Sequence, residues 1–199
     1  MQRVLLGVIL LVFVFPASSQ VRYFPPKVFS SEDAQLDQFV SEWYSSKLKI
    51  LEEPSLLEMA GDRNVETYRF LWLRTFHKPV AVRLQLSNDG RAVLFAKVAT
   101  GTGGFPDKNP HLLQNFSRPV SSEQVQAFRR LLGKMDFWTL PRDRGPGGND
   151  GAEWIVEGLK QGTYRVVMEW SPQQGAIRDL GMMLAFGLAD LKIPKEDVY

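Results

Sequence analysis

The chain has 199 residues, with 24 Lys+Arg against 22 Asp+Glu and a formal net charge of +2. That balance argues against nucleic acid or an anionic membrane as partner, since both require a basic excess. The absence of cysteine excludes disulfides, thiolate nucleophiles and a lipid-modified thiol.

Arg3 precedes an uncharged apolar run from Val4 to Phe15, followed by Pro16-Ala17-Ser18-Ser19. Small residues at Ala17 and Ser19 suit the last positions before a signal-peptidase cut, so residues 1–19 are expected to be a cleaved signal peptide. Twelve residues at about 1.5 Å each make about 18 Å of helix, short of a roughly 30 Å hydrocarbon core. No stable membrane span is expected after cleavage. The mature chain is expected in the periplasm or the secreted fraction of a bacterium. Without disulfides it must be held by packing, and about 180 residues suffice for one core.

Residues 20–29, with Pro25-Pro26, read as an extended lead-in to a single domain over residues 30–199. Ser30 to Asp33 supply an N-cap and first-turn acids. Leu36, Phe39, Val40 and Trp43 then recur at helical spacing, predicting a helix to about Lys49. Pro54 opens a short helical piece that Gly61-Asp62 stops.

The apolar period then changes. Thr67–Phe76, Val80–Ser87 and Arg91–Ala99 predict a three-stranded antiparallel meander, its second turn marked by Asp89-Gly90. After a glycine-rich loop, Thr100–Gly104, comes a polar connection. Ser121 and Gln124 form a capping box for a helix with Val125, Phe128, Leu131, Leu132 and Met135 on one face. A loop over Arg142–Gly151 leads to a hairpin, Ala152–Lys160 and Thr163–Trp170, turning at Gln161-Gly162. A last helix is predicted from about Gly175 to Leu191, largely buried, with Gly181 and Gly187 allowing close approach. The fold expected is α+β, an antiparallel sheet of about five strands packed with three main helices.

Alternation places Leu71, Leu73, Val82, Leu84, Leu86, Val93 and Phe95 on one sheet face as core. Tyr68, Phe70, Trp72, Arg74, Arg83 and Gln85 share the other. Aromatics beside arginines can form a ligand platform, which makes Phe70, Trp72 and Arg83 candidate binding residues. Cover by the Leu36/Trp43 helix is the alternative. In the last hairpin, Leu159 opposite Tyr164 puts Glu157 among apolar neighbours. A carboxylate so placed has a raised pKa unless an arginine pairs with it, which makes Glu157 a candidate functional carboxylate.

Other chemical signals do not assemble. His77 and His111 lie in a turn and a loop, with no partner at ligand spacing, so no metal is expected. Asp143, Asn149, Asp150 and Glu153 fit no calcium loop. Gly101-Thr102-Gly103-Gly104 lacks the Lys-Ser/Thr ending of a phosphate loop, and Ser46-x-x-Lys49 lacks companion motifs. No cofactor is expected.

Tyr68-Arg69-Phe70-Leu71-Trp72-Leu73, Asp150-Gly151-Ala152-Glu153-Trp154-Ile155-Val156-Glu157-Gly158 and Trp170-Ser171-Pro172 resemble a family of uncharacterised exported bacterial proteins, over roughly residues 65–190. That resemblance implies export and transfers no functional residue. Gly103-Gly104-Phe105, the helix ending Asp136-Phe137-Trp138-Thr139-Leu140-Pro141, the hairpin and the last helix are similar in layout to emfourin-type inhibitors of thermolysin-like metalloproteases. This similarity implies that Gly103, Gly104 and Phe105 contact a protease. The function expected is a non-catalytic interaction domain with a protein or cell-envelope partner. The alternatives are an inhibitor module of that type, or a small hydrolase or metal-dependent enzyme.

Overall fold

The computed structural model describes residues 21–142 and 147–199. The expected signal peptide and Asp143 lie outside the described residues. Six antiparallel strands form one sheet: β1 (Glu66–Arg74), β2 (Val80–Leu86), β3 (Ala92–Ala99), β4 (Leu112–Pro119), β5 (Ala152–Lys160) and β6 (Thr163–Trp170). Their spatial order is β4-β3-β2-β1-β5-β6. Three helices accompany it: α1 (Ala34–Ile50), α2 (Ser122–Lys134) and α3 (Ala176–Met182), the last continuing as a π-helical turn over Met183–Leu188.

The α+β class holds, and the expected five strands become six. The additional strand, β4, is the supposed polar connection. It lies at the sheet edge and is mostly exposed, so it has no buried face to impose apolar alternation.

The turns follow backbone chemistry. Gln161 and Gly162 both adopt positive φ, 51° and 81°, as a two-residue hairpin between right-twisted strands requires. At Asn88-Asp89-Gly90 only Gly90 does, at 86°, and its N–H donates to the Ser87 carbonyl. The β2–β3 hairpin therefore has a longer turn than Asp-Gly alone implied.

Register corrects the expected faces. Tyr68 opposes Leu84, Phe70 opposes Val82 and Trp72 opposes Val80, while Arg83 opposes Arg69 and Phe95. Strand β2 is thus flipped by one residue from the expected pairing. Val82, Leu84 and Leu86 join the aromatics, and Arg83 and Gln85 join Leu71, Leu73, Val93 and Phe95. β1 and β2 are buried on both faces, so apolar pattern alone could not say which residues of β2 point which way.

The helix assignment changes with it. Tyr68, Phe70, Trp72, Trp154 and Val156 are covered by Phe128 and Leu132 of α2, by Phe137, and by Ile177, Leu180, Leu184 and Leu188 from α3 onward. A Cβ at Gly181 would lie 2.6 Å from the Trp154 ring and 2.9 Å from Phe70, so α3 can rest on these rings only with glycine there. Helix α1 covers the opposite face, where Tyr44, Leu48 and Leu51 pack with Tyr23, Phe24, Val28 and Phe29 on Leu71, Leu73, Ile155 and Val166.

One carboxylate ties the lead-in to α1. Asp33 caps the helix by accepting from Gln35 N and Leu36 N, both at 2.9 Å. Asp37, in the first turn, accepts from the backbone N–H groups of Lys27, Phe29 and Ser30 at 2.7, 2.8 and 3.1 Å. Burial pushes the Asp37 carboxyl up, but these donors outweigh it and hold its pKa below the ordinary value. A carboxylate depressed in the folded state stabilises above its unfolded pKa of about 3.9 and loses that contribution as pH falls through the folded value. Asp37→Ala is therefore expected to lower unfolding free energy by about 2 kcal/mol at neutral pH. In urea melts its gap from wild type should close below about pH 4; a gap independent of pH would contradict this role.

Candidate functional site

Glu157 anchors a charged cluster under α1. Its Oε2 accepts from Arg69 Nε at 2.6 Å, and its Oε1 accepts from the Tyr164 hydroxyl at 2.9 Å. Glu53, in the turn after α1, lies 2.8 Å from Arg83, 3.3 Å from Lys97 and 3.6 Å from Arg69. Carbonyls of the same turn complete the set: Pro54 O accepts from Arg69 and Glu52 O from Lys97. Three cations thus face two carboxylates and two backbone carbonyls, with Arg69 and Glu157 fully buried.

Burial raises the Glu157 pKa against the pull of Arg69 and the Tyr164 hydrogen bond. Burial also works against the Arg69 charge, but Glu157 and Glu53 prevail and raise its pKa. Tyr164 is pushed well above its ordinary value, first by burial and then by Glu157. Both Glu157 oxygens are engaged, so the carboxylate is placed to hold structure together rather than to meet a substrate. Arg83 serves the same cluster and stacks over Phe95 at 4.2 Å. Phe70 and Trp72 are fully buried, which leaves the aromatic platform inaccessible.

Gly103 and Gly104 lie where they can shape a surface. Gly103 N donates to Arg74 O and His77 O at 3.0 and 2.8 Å, and Gly104 N donates to Thr75 O at 3.2 Å. A Cβ at Gly103 would come within 2.5 Å of the Leu73 carbonyl carbon. From the other side, Trp43 Nε1 donates to Gly103 O at 3.0 Å. Lys47 Nζ donates to Thr102 O and Phe105 O at 2.6 and 2.7 Å. Burial lowers the Lys47 pKa, with Asp107 opposing. The loop is thus clamped between α1 and the β1–β2 turn.

What the clamp presents is apolar. Phe105 is 55% exposed, Phe39 64% and Phe76 58%. The Phe76 and Phe105 rings are 6.4 Å apart, as are those of Phe39 and Trp43. A groove of about 520 Å³ between α1 and the loop is lined by Phe39, Trp43, Ile50, Phe105 and Pro106, with Glu42 and Asp107 at its edge. No family model and no curated protein matches this chain. The function must be argued from such surfaces.

The histidines do not join this groove. His77 Nδ1 is 2.7 Å from the Tyr199 hydroxyl and Nε2 is 3.1 Å from Asp197, while His111 Nδ1 lies 2.9 Å from Asn109 O. Among the described residues, no group of three His, Asp or Glu side chains could hold a metal. Sequence reading found Gly103–Phe105 but missed Phe39, Trp43 and Lys47 as its counterpart. Leu36 and Phe39 sat in an apolar stripe that signalled core, and nothing local distinguishes an exposed stripe from a buried one.

Glu157→Ala is expected to cost about 3–5 kcal/mol in urea unfolding, because it strands the Arg69 charge in the interior. Replacing the pair together, Arg69→Met with Glu157→Leu, should recover most of that loss. A single variant as stable as wild type would contradict the structural role.

Proposed function

We propose that this chain is an exported, non-catalytic interaction domain that binds a protein partner through the groove between α1 and the Gly103–Phe105 loop. The observation that carries the reading is the pair of exposed rings Phe39 and Phe105 lining one groove, with Phe105 on clamped backbone. Large apolar side chains grouped at a surface mark binding sites on soluble proteins, and a clamped loop loses little entropy on docking. Lys47 spends its donors on the loop carbonyls, so Glu42 and Asp107 give the groove an acidic rim. The fitting partner offers an apolar side chain flanked by basic ones.

Export rests on Arg3, the Val4–Phe15 run and the Ala17/Ser19 site. Among the described residues, no helix is long and apolar enough to cross a membrane. N-terminal sequencing of protein recovered from the native cell envelope should begin at Gln20, and an intact Met1 would contradict cleavage of residues 1–19.

For the groove, the test is capture from native envelope extract with wild type beside the double variant Phe39→Glu/Phe105→Ser. Both changes are on exposed side chains and should leave circular dichroism and melting unaltered. Wild type should retain a protein that the variant loses at least ten-fold; equal recovery would sink the reading. The clamped Gly103–Phe105 loop also favours a second reading, inhibition of a thermolysin-like metalloprotease. In that case wild type inhibits and Phe105→Ser relieves inhibition; no inhibition at micromolar protein removes this reading.

A further inference from the structure

A separate cavity of about 630 Å³ opens between the β1–β2 turn, the start of β2, the edge of the sheet and the segment after α3. Arg74 forms part of its wall at 4% exposure, and Val80, Val98, Phe116 and Ile193 give it apolar sides. The Arg74 guanidinium stacks over the Trp72 ring at 4.3 Å. Nη1 donates to Asp197 O at 3.1 Å and Nη2 reaches Lys78 O only at 3.5 Å, while buried Nε has no partner.

The other two buried arginines provide the contrast. Arg69 pairs with Glu157, and Arg83 with Glu53. Arg74 has no carboxylate within ion-pairing reach among the described residues; burial lowers its pKa, outweighing Tyr199 and Asp197, which attract its charge from further off. Asp190 pairs with Lys192 at 2.6 Å, and Asp197 lies 3.1 Å from His77 Nε2. A buried guanidinium without a contact ion pair is costly. Here it faces a space of the size that holds small ligands.

We propose that this cavity binds a small organic monocarboxylate, its carboxylate on Arg74 and its apolar body against Val80, Val98, Phe116 and Ile193. A planar guanidinium fork matches a carboxylate. Exposed Lys78 at the rim adds attraction for an anion. The apolar sides select a hydrocarbon body over a compact, fully hydrated anion such as inorganic phosphate. Phe76 borders this cavity, but neither Phe39 nor Phe105 does, so failure of the site would leave the groove reading intact.

The test is isothermal titration of the mature protein with octanoate, octanol and inorganic phosphate, followed by indole fluorescence to register Trp72 beneath Arg74. Octanoate is expected to bind at least ten-fold more tightly than octanol, with phosphate weaker than either. Arg74→Met, which keeps the length and removes the charge, should erase the preference for octanoate while octanol binding persists. Phe116→Asp, on the exposed edge strand, should weaken octanoate at least five-fold without touching the core, and so tests the site should Arg74→Met fold poorly. Equal affinity for octanoate and octanol, tighter phosphate binding, or no binding at millimolar octanoate would overturn the proposal.

Discussion

The Arg69–Glu157 ion pair joins the neighbouring strands β1 and β5 through their side chains, on a sheet face sealed by α1. Its burial constrains much of what surrounds it. A guanidinium in the interior needs more acceptors than one carboxylate supplies. The turn after α1 therefore brings Glu53 and the Glu52 and Pro54 carbonyls onto the sheet, beside Arg83 and Lys97. That turn sets where α1 ends, and α1 in turn positions Trp43 and Lys47 over the glycine-rich loop.

The clamped groove is thus connected to the buried charges by one helix. Leu48 and Tyr44 face the sheet while Lys47, also buried, reaches sideways to Thr102 and Phe105. Its stem lies in the interface and its ammonium ends on carbonyls, a long amphipathic side chain used as a strut. The outer side of the same helix leaves Leu36 and Phe39 in solvent. One helix therefore serves the core with one side and leaves apolar side chains exposed on another.

The two sheet faces divide the labour differently. The aromatic face is apolar and is covered by α2, α3 and the residues that follow. Trp72 and Trp154 both donate their indole N–H to Tyr199 O, at 3.3 and 2.8 Å. Arg74 lies at the margin of that face, where the apolar packing of Trp72 gives way to the open cavity. A charge at such a boundary can be shielded from water and still meet a ligand.

Much of the architecture was legible from local chemistry. The capping box at Ser121 and Gln124 is present, with its reciprocal hydrogen bonds at 3.0 and 3.3 Å. The Gln161-Gly162 hairpin pairs Leu159 with Tyr164 and Glu157 with Val166, as its turn implied. These features depend on neighbours in sequence, so a few residues suffice to specify them. The edge strand β4 escaped notice because a strand with little burial carries little pattern. The register of β2 escaped because both its faces are buried, leaving alternation without a polar side to mark. That Phe39 and Phe105 line one groove, and that Arg74 alone among the buried arginines of the described residues has no carboxylate within ion-pairing reach, are relations between residues distant in sequence. The sequence by itself determined five of the six strands, the three main helices, the Gln161-Gly162 turn and the absence of any thiol chemistry. Only the tertiary structure decided which apolar residues face solvent and which charges find a partner, because burial and pairing belong to the packed assembly.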